Sequence, residues 1–197
     1  MSENEKRREF FSQNSESKSD EKERQTITDS TIKKTKPVGN DISLDVKVKS
    51  VTILGHLIND MTDYSVKAKP MEAIGLLGGK VERPRELLIS KICYVTTGDE
   101  VSVSFSEDDF DAFEKILDDT SYCLGWWHSH PGYGLFLSQT DISTHIYSFQ
   151  LHNGHSIALV IDPTRIGDNN RANFNCYQVV GEQGNFDYKE IASYIRE

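Results

Sequence analysis

GWWHSHPGYGLFLSQTDIS, residues 125–143, is the stretch on which the reading of this fold turns. Its apolar start, with the preceding SYCL, reads as a strand; Pro131 stops that strand, and Gly132 and Gly134 let the chain turn sharply. Ser138 then opens a helix to about Leu151, with Ile142, His145, Ile146 and Phe149 spaced along one face. Residues i and i+2 of a strand share a side, so His128 and His130 can present both imidazoles to one point. Asp141, one turn into the helix, is carried back toward them. Two imidazoles and a carboxylate make a three-ligand set for zinc that keeps a fourth position for water, and zinc brings the pKa of such water to about 7. A plainer reading stands beside this one. Histidine pairs also occur at exposed strand ends, and Ser138-Gln139-Thr140-Asp141 is by itself a capping box. The two are compatible, since one serine can cap a helix and still face an ion.

Outward from this segment, strands and helices alternate. Ile42, Leu44, Val46 and Val48 alternate with polar residues as a half-buried strand. Ser50 suits an N-cap for a helix over 51–68. MEAIGLLGGKV (71–81) and ELLISKICYVTT (86–97) read as a strand hairpin, and EVSVSF (100–105) as a further alternating strand. Residues 106–120 form an expected helix with Phe110, Phe113, Ile116 and Leu117 on one face, its acidic start at Glu107, Asp108 and Asp109 favouring a helix N-terminus. Strands over 156–163 and 172–180 and a terminal helix over 185–197 complete the expectation. The fold class is α/β or α+β, a mixed sheet with helices on both faces.

Composition divides the chain in two. Residues 1–40 hold few large apolar side chains, so they are expected to be a disordered tail, with one domain over 41–197. The tail carries 9 Lys or Arg and 8 Asp or Glu, which leaves 13 and 23 for the domain. An excess of acid repels phosphates, so nucleic acid is not an expected partner. Cys93, Cys123 and Cys176 lie far apart and read as small buried hydrophobes in strands. The sequence has no apolar run of membrane-spanning length and no signal core in MSENEKRREFF, so a soluble cytoplasmic protein is expected, or a nuclear one if eukaryotic.

HSHP, followed by Ser138 and then Asp141, together with Glu72 in MEAIGLLGG, resembles the JAMM motif of the MPN+ metalloprotease family. GWWHSHPGYG is closest to its deubiquitinase branch, that of the proteasome lid and the signalosome isopeptidase, and the similarity covers roughly residues 42–180, including IDPTR at 161–165. The resemblance implies an MPN domain and a zinc isopeptidase that removes ubiquitin or a ubiquitin-like modifier through a zinc-bound water. His128, His130 and Asp141 would hold Zn2+, Glu72 would act as general acid and base, and Ser138 would donate to the oxyanion. It also implies that Val101, Val103 and Phe105 pair with the modifier's extended tail as an added strand. Expected partners are ubiquitin-like conjugates and the proteasome, another complex, or a second copy. Other readings from the family are a hydrolase of sulfur-carrier-like proteins and a non-catalytic scaffold. Leu135-Phe136 departs from members in the large complexes, which carry a cysteine and a tryptophan there. Trp126 and Trp127 are read as structural, on opposite sides of their strand; His145, one helical turn after Asp141, is read as packing, with a place beside the ligands as the alternative.

Overall fold

A computed structural model of the chain describes residues 42–97, 116–117, 121–167 and 171–197. The expected tail over 1–40, the strand at 100–105 with Val101, Val103 and Phe105, and all but Ile116 and Leu117 of the helix over 106–120 lie outside the described residues.

Eight strands form one mixed sheet: β1 (Ser43–Leu44), β2 (Ser50–Leu54), β3 (Ala73–Arg83), β4 (Glu86–Thr97), β5 (Tyr122–Ser129), β6 (Ile157–Ile166), β7 (Ala172–Glu182) and β8 (Asn185–Arg196). Helix α1 is Gly55–Ala68; α2 is Gln139–Thr144 and runs on as a π-helical segment, His145–Gln150. In space the strands lie β1-β7-β6-β5-β3-β4-β2-β8, and β8 pairs back onto β7. The sheet is therefore not open. Seven strands close into a ring, with β1 laid beside the far end of β7.

Each face of the sheet has its own core, which is why the helices divide between them. Val51, Ile53, Leu77, Leu124, Trp127 and Leu159 pack with Leu57, Ile58 and Met61 of α1. On the opposite face Leu76, Trp126, Val160 and Val179 pack with Ile142, Ile146 and Phe149 of the second helix. Trp126 and Trp127, both fully buried, thus point to opposite cores as strand alternation requires. Among the described residues no helix is long and apolar enough to cross a membrane.

Several expectations need correction. Ser50 is not a helix cap. Residues 50–54 are a parallel strand between β4 and β8, with Val51 and Ile53 buried, and α1 begins only at Gly55 without a side-chain cap. Apolar residues at 51, 53, 54, 57 and 58 fit both periods, and the two-sided pairing decides for the strand. The terminal segment is strand β8, not a helix. Gln183 and Gly184, at φ 54° and 84°, turn the chain tightly out of β7. Its burial alternation slips one position between Tyr188 and Ile191, where β8 stops pairing with β7 and starts pairing with β2. That slip produces a spacing that imitates a helix. The strand expected over 42–48 is reduced to Ser43–Leu44. Beyond it Lys47 and Val48 donate their N–H groups to the buried Gln178 side chain at 2.9 Å, not to a strand. Of the three free cysteines, Cys93 and Cys176 are buried, while Cys123 is only partly so.

β5 and β6 are parallel neighbours joined through α2, and their close approach depends on Gly125. It sits at φ 132°, and a Cβ there would lie 1.9 Å from the Ile157 carbonyl oxygen. Gly125→Ala is expected to lower stability by about 3 kcal/mol or more, read as a shift in the urea midpoint.

Candidate metal centre

The carboxyl end of β5 and the turn into α2 gather the polar side chains. His128, Ser129, His130 and Asp141 are all buried. His128 Nε2 lies 3.0 Å from His130 Nε2 and 3.5 Å from Asp141 Oδ2, and His130 Nε2 lies 3.8 Å from the same oxygen. Ligand atoms of these three residues fall within 4.8 Å of one another, a group that could hold a metal ion. Glu72 stands just before β3 and brings Oε1 to 3.6 Å from His130 Nε2. Four of the five residues expected at the site thus converge through direct short contacts. Ser138, the fifth, is joined to them through Asp141.

Capping chemistry sets that junction. The Ser138 hydroxyl oxygen accepts from Asp141 N at 3.2 Å, and Asp141 Oδ2 accepts from Ser138 N at 2.7 Å, a complete capping box. The Asp141 oxygen that faces the imidazoles is therefore already aimed by the helix end. Its hydroxyl oxygen serving as acceptor, Ser138 keeps its own proton free to donate.

Charge follows from burial and neighbours. Burial would raise the Asp141 carboxyl, but hydrogen bonds from His128 and Ser138 outweigh it and hold the group down at about 2. Desolvation, with His128 close by, pushes His130 down to about 4, so its ring is neutral at pH 7 and offers a lone pair. Its Nδ1 donates to the Gly134 carbonyl at 3.1 Å, which leaves Nε2 as the free acceptor. Burial raises the Glu72 carboxyl above its ordinary value; His128 opposes this and Asp141 adds to it. A half-buried carboxylate with a raised pKa suits proton transfer near neutrality.

Three supporting residues escaped the sequence reading. Ser129, between the two histidines, faces the other way and accepts from Ala73 N at 2.9 Å, tying Glu72's neighbour to the histidine strand. Asp162, at the Ile161-Asp162-Pro163 step of β6, accepts from Gly132 N at 3.1 Å and from Thr164 N and Oγ1 at 2.9 and 2.6 Å. It thereby holds the turn that follows His130. Tyr177 donates its hydroxyl to the Leu135 carbonyl at 2.8 Å, and the ring of the exposed Phe136 lies 4.7 Å from that of His130. IDPTR hinted at Asp162; nothing local marked Ser129 or Tyr177. His145 is buried, but it is more than packing: its Nδ1 accepts from Trp126 Nε1 at 3.3 Å. Val101, Val103 and Phe105, expected to bind a peptide tail, lie outside the described residues.

The family model described as JAB1/Mov34/MPN/PAD-1 ubiquitin protease matches residues 46–153, over half of the chain, and the chain belongs to this family. Its mixed sheet with helices on both faces is the MPN domain. Among similar proteins, the 26S proteasome regulatory subunit RPN11 of Eremothecium gossypii is 32% identical over 130 residues, covering 62% of this chain and 41% of that protein. COP9 signalosome complex subunit 5b of Arabidopsis thaliana is 29% identical over 126 residues, 61% of this chain and 34% of its own length. Ubiquitin carboxyl-terminal hydrolase RPN11 of Saccharomyces cerevisiae is 30% identical over 131 residues, 63% and 40% respectively. The chain therefore spans less than half the length of these relatives.

Proposed function

We propose that this chain is a zinc-dependent isopeptidase that releases ubiquitin or a ubiquitin-like modifier from conjugates. The observation that carries the reading is the convergence of His128 Nε2, His130 Nε2 and Asp141 Oδ2 with Glu72 beside them. Tetrahedral zinc with bonds of 2.0–2.2 Å requires ligand atoms roughly 3.3–3.6 Å apart. The three separations here, 3.0, 3.5 and 3.8 Å, bracket that requirement, and the donor set of two neutral imidazoles and one carboxylate is of the right kind. When bound, zinc supplies the Lewis acidity that makes water a nucleophile at neutral pH.

The chain's own residues would do the rest. Glu72 accepts a proton from the attacking water and returns it to the departing lysine amine, work that its raised pKa favours. Ser138, whose oxygen is occupied by Asp141 N, turns its hydrogen toward the oxyanion that forms on the scissile carbonyl. His130 and the turn after it keep their places through Gly134 and Asp162. Support for a ubiquitin-like substrate comes from the family description and from the hydrolase name of the yeast relative. Relatives named as subunits of the proteasome and the signalosome support action within a larger assembly.

The test is to incubate the full chain with ubiquitin chains and with ubiquitin-like conjugates, with and without a zinc chelator. Free modifier should appear, vanish on chelation and return when zinc is restored. Release that survives chelation overturns the mechanism, and failure to cut any conjugate overturns the isopeptidase reading.

A further inference from the structure

The two histidines at the centre are held in different ways. A metal-binding imidazole ordinarily donates its second N–H to a carboxylate or carbonyl, which fixes both tautomer and ring plane. His130 does so through the Gly134 carbonyl. His128 does not: its Nδ1 is buried and has no hydrogen-bond partner among the described residues. What His128 has instead is a surface. The Trp126 indole lies parallel to it, with ring centroids 4.5 Å apart and planes 12° from coincidence. Behind Trp126 stands Phe149, 6.1 Å away and 9° from parallel, and Phe149 in turn faces the ring of His145.

An indole can turn about its own bonds, so a stack fixes the plane of His128 only if the indole is itself fixed. Its one polar atom, Nε1, is a donor only, and it donates to His145 Nδ1 at 3.3 Å. His145 must therefore be the acceptor and carry its proton on Nε2. Burial supports that neutral form by pushing the His145 pKa down to about 3. The π-helical turn that begins at His145 belongs to the same arrangement, since such turns widen a helix and redirect its side chains. Gln150 anchors the far end of that turn, donating to the Val179 carbonyl at 2.8 Å and accepting from Val179 N at 2.9 Å.

We propose that His145 is a positioning residue: through its hydrogen bond to Trp126 it sets the stacked plane that aims His128 Nε2 at the metal, in place of a hydrogen bond to His128 Nδ1. The proposal rests on the metal-site reading above. It predicts that the cost of losing His145 appears in metal binding, and that the cost depends on the indole N–H.

The experiment measures zinc affinity of the full chain by competition with a chromophoric chelator, alongside the visible spectrum of the cobalt-loaded protein. His145→Leu leaves the indole donor unpaired and is expected to weaken zinc binding about tenfold, the low end for losing an outer partner of a ligand. The cobalt bands should shift with it. His145→Gln keeps an acceptor in place and is expected to recover affinity to within about threefold of the original. Trp126→Phe retains a stacking ring but has no N–H, so it is expected to weaken binding several-fold even if His145→Leu does not fold. The double variant should be no weaker than the worse single one, because both changes remove the same bond. If His145→Leu folds and binds zinc as tightly as the original, or if the two losses multiply, the positioning role is overturned. If the unaltered chain binds no zinc, the metal-site reading itself falls, a distinguishable result.

Discussion

Glu72→Gln is expected to lower turnover of a conjugate by about 10²–10⁴-fold, the usual worth of a general acid–base group, while zinc uptake stays intact. Glutamine matches the shape of glutamate but cannot take a proton. Glu72 is the only carboxylate besides Asp141 that the described residues place against the histidine pair, with Oε1 3.6 Å from His130 Nε2. It is also the more exposed of the two, as a group that must exchange protons with substrate should be; its side chain is 28% exposed against 5% for Asp141. The split between turnover and metal content is the decisive readout. A variant that retains more than about a tenth of the turnover would remove Glu72 from the proton pathway. One that loses metal as well would make it a ligand rather than a base.

The second large effect belongs to Asp141. Asp141→Asn is expected to weaken zinc binding at least about 100-fold, beyond what loss of an outer partner costs. The asparagine oxygen can still accept from Ser138 N, so the helix cap should survive in large part and the metal-free fold should change little. Asp141→Ala loses the cap too, at about 1 kcal/mol further. Thermal unfolding separates these effects. Zinc at about 100 times its dissociation constant should stabilise the original chain by about 2.7 kcal/mol and either variant by no more than about 0.4 kcal/mol. The carboxylate is depressed in the folded state, so its stabilising contribution is complete above the ordinary Asp range and is lost as pH falls through about 2. Zinc binding should accordingly not fail through Asp141 anywhere near neutrality. An asparagine variant that binds zinc normally would sink the assignment.

What could be read from the sequence follows the range over which each signal acts. The β3–β4 hairpin, strand β5 and the capped start of α2 were legible because alternation, proline and the Ser138–Asp141 box act within a few residues. The clustering of His128, His130 and Asp141 was legible for the same reason, the three lying within fourteen positions of one another. β2 was misread because its strand character comes from neighbours far along the chain, and β8 because the change of partner from β7 to β2 slips its alternation by one position. Val51, for example, faces Leu87 on one side and Ser193 on the other. The supporting residues were hidden likewise: Ser129 acts on Ala73, Asp162 on Gly132, and His145 on an indole whose orientation no local pattern reveals. An aromatic beside a ligand histidine looks the same in sequence whether it merely fills space or sets a plane.

Closure of the sheet by β8 also has a consequence in time. β2, residues 50–54, takes one of its two partners from residues 192–196. At a ribosomal rate of 5–20 residues per second, roughly 7–30 s separate the synthesis of these two strands. Throughout that interval the Val51–Ile53 segment has been made and its last neighbour has not. The nascent chain thus carries an incomplete apolar seam until residues 192–196 are made, a window in which a chaperone, or a neighbouring unfinished chain, can reach it first.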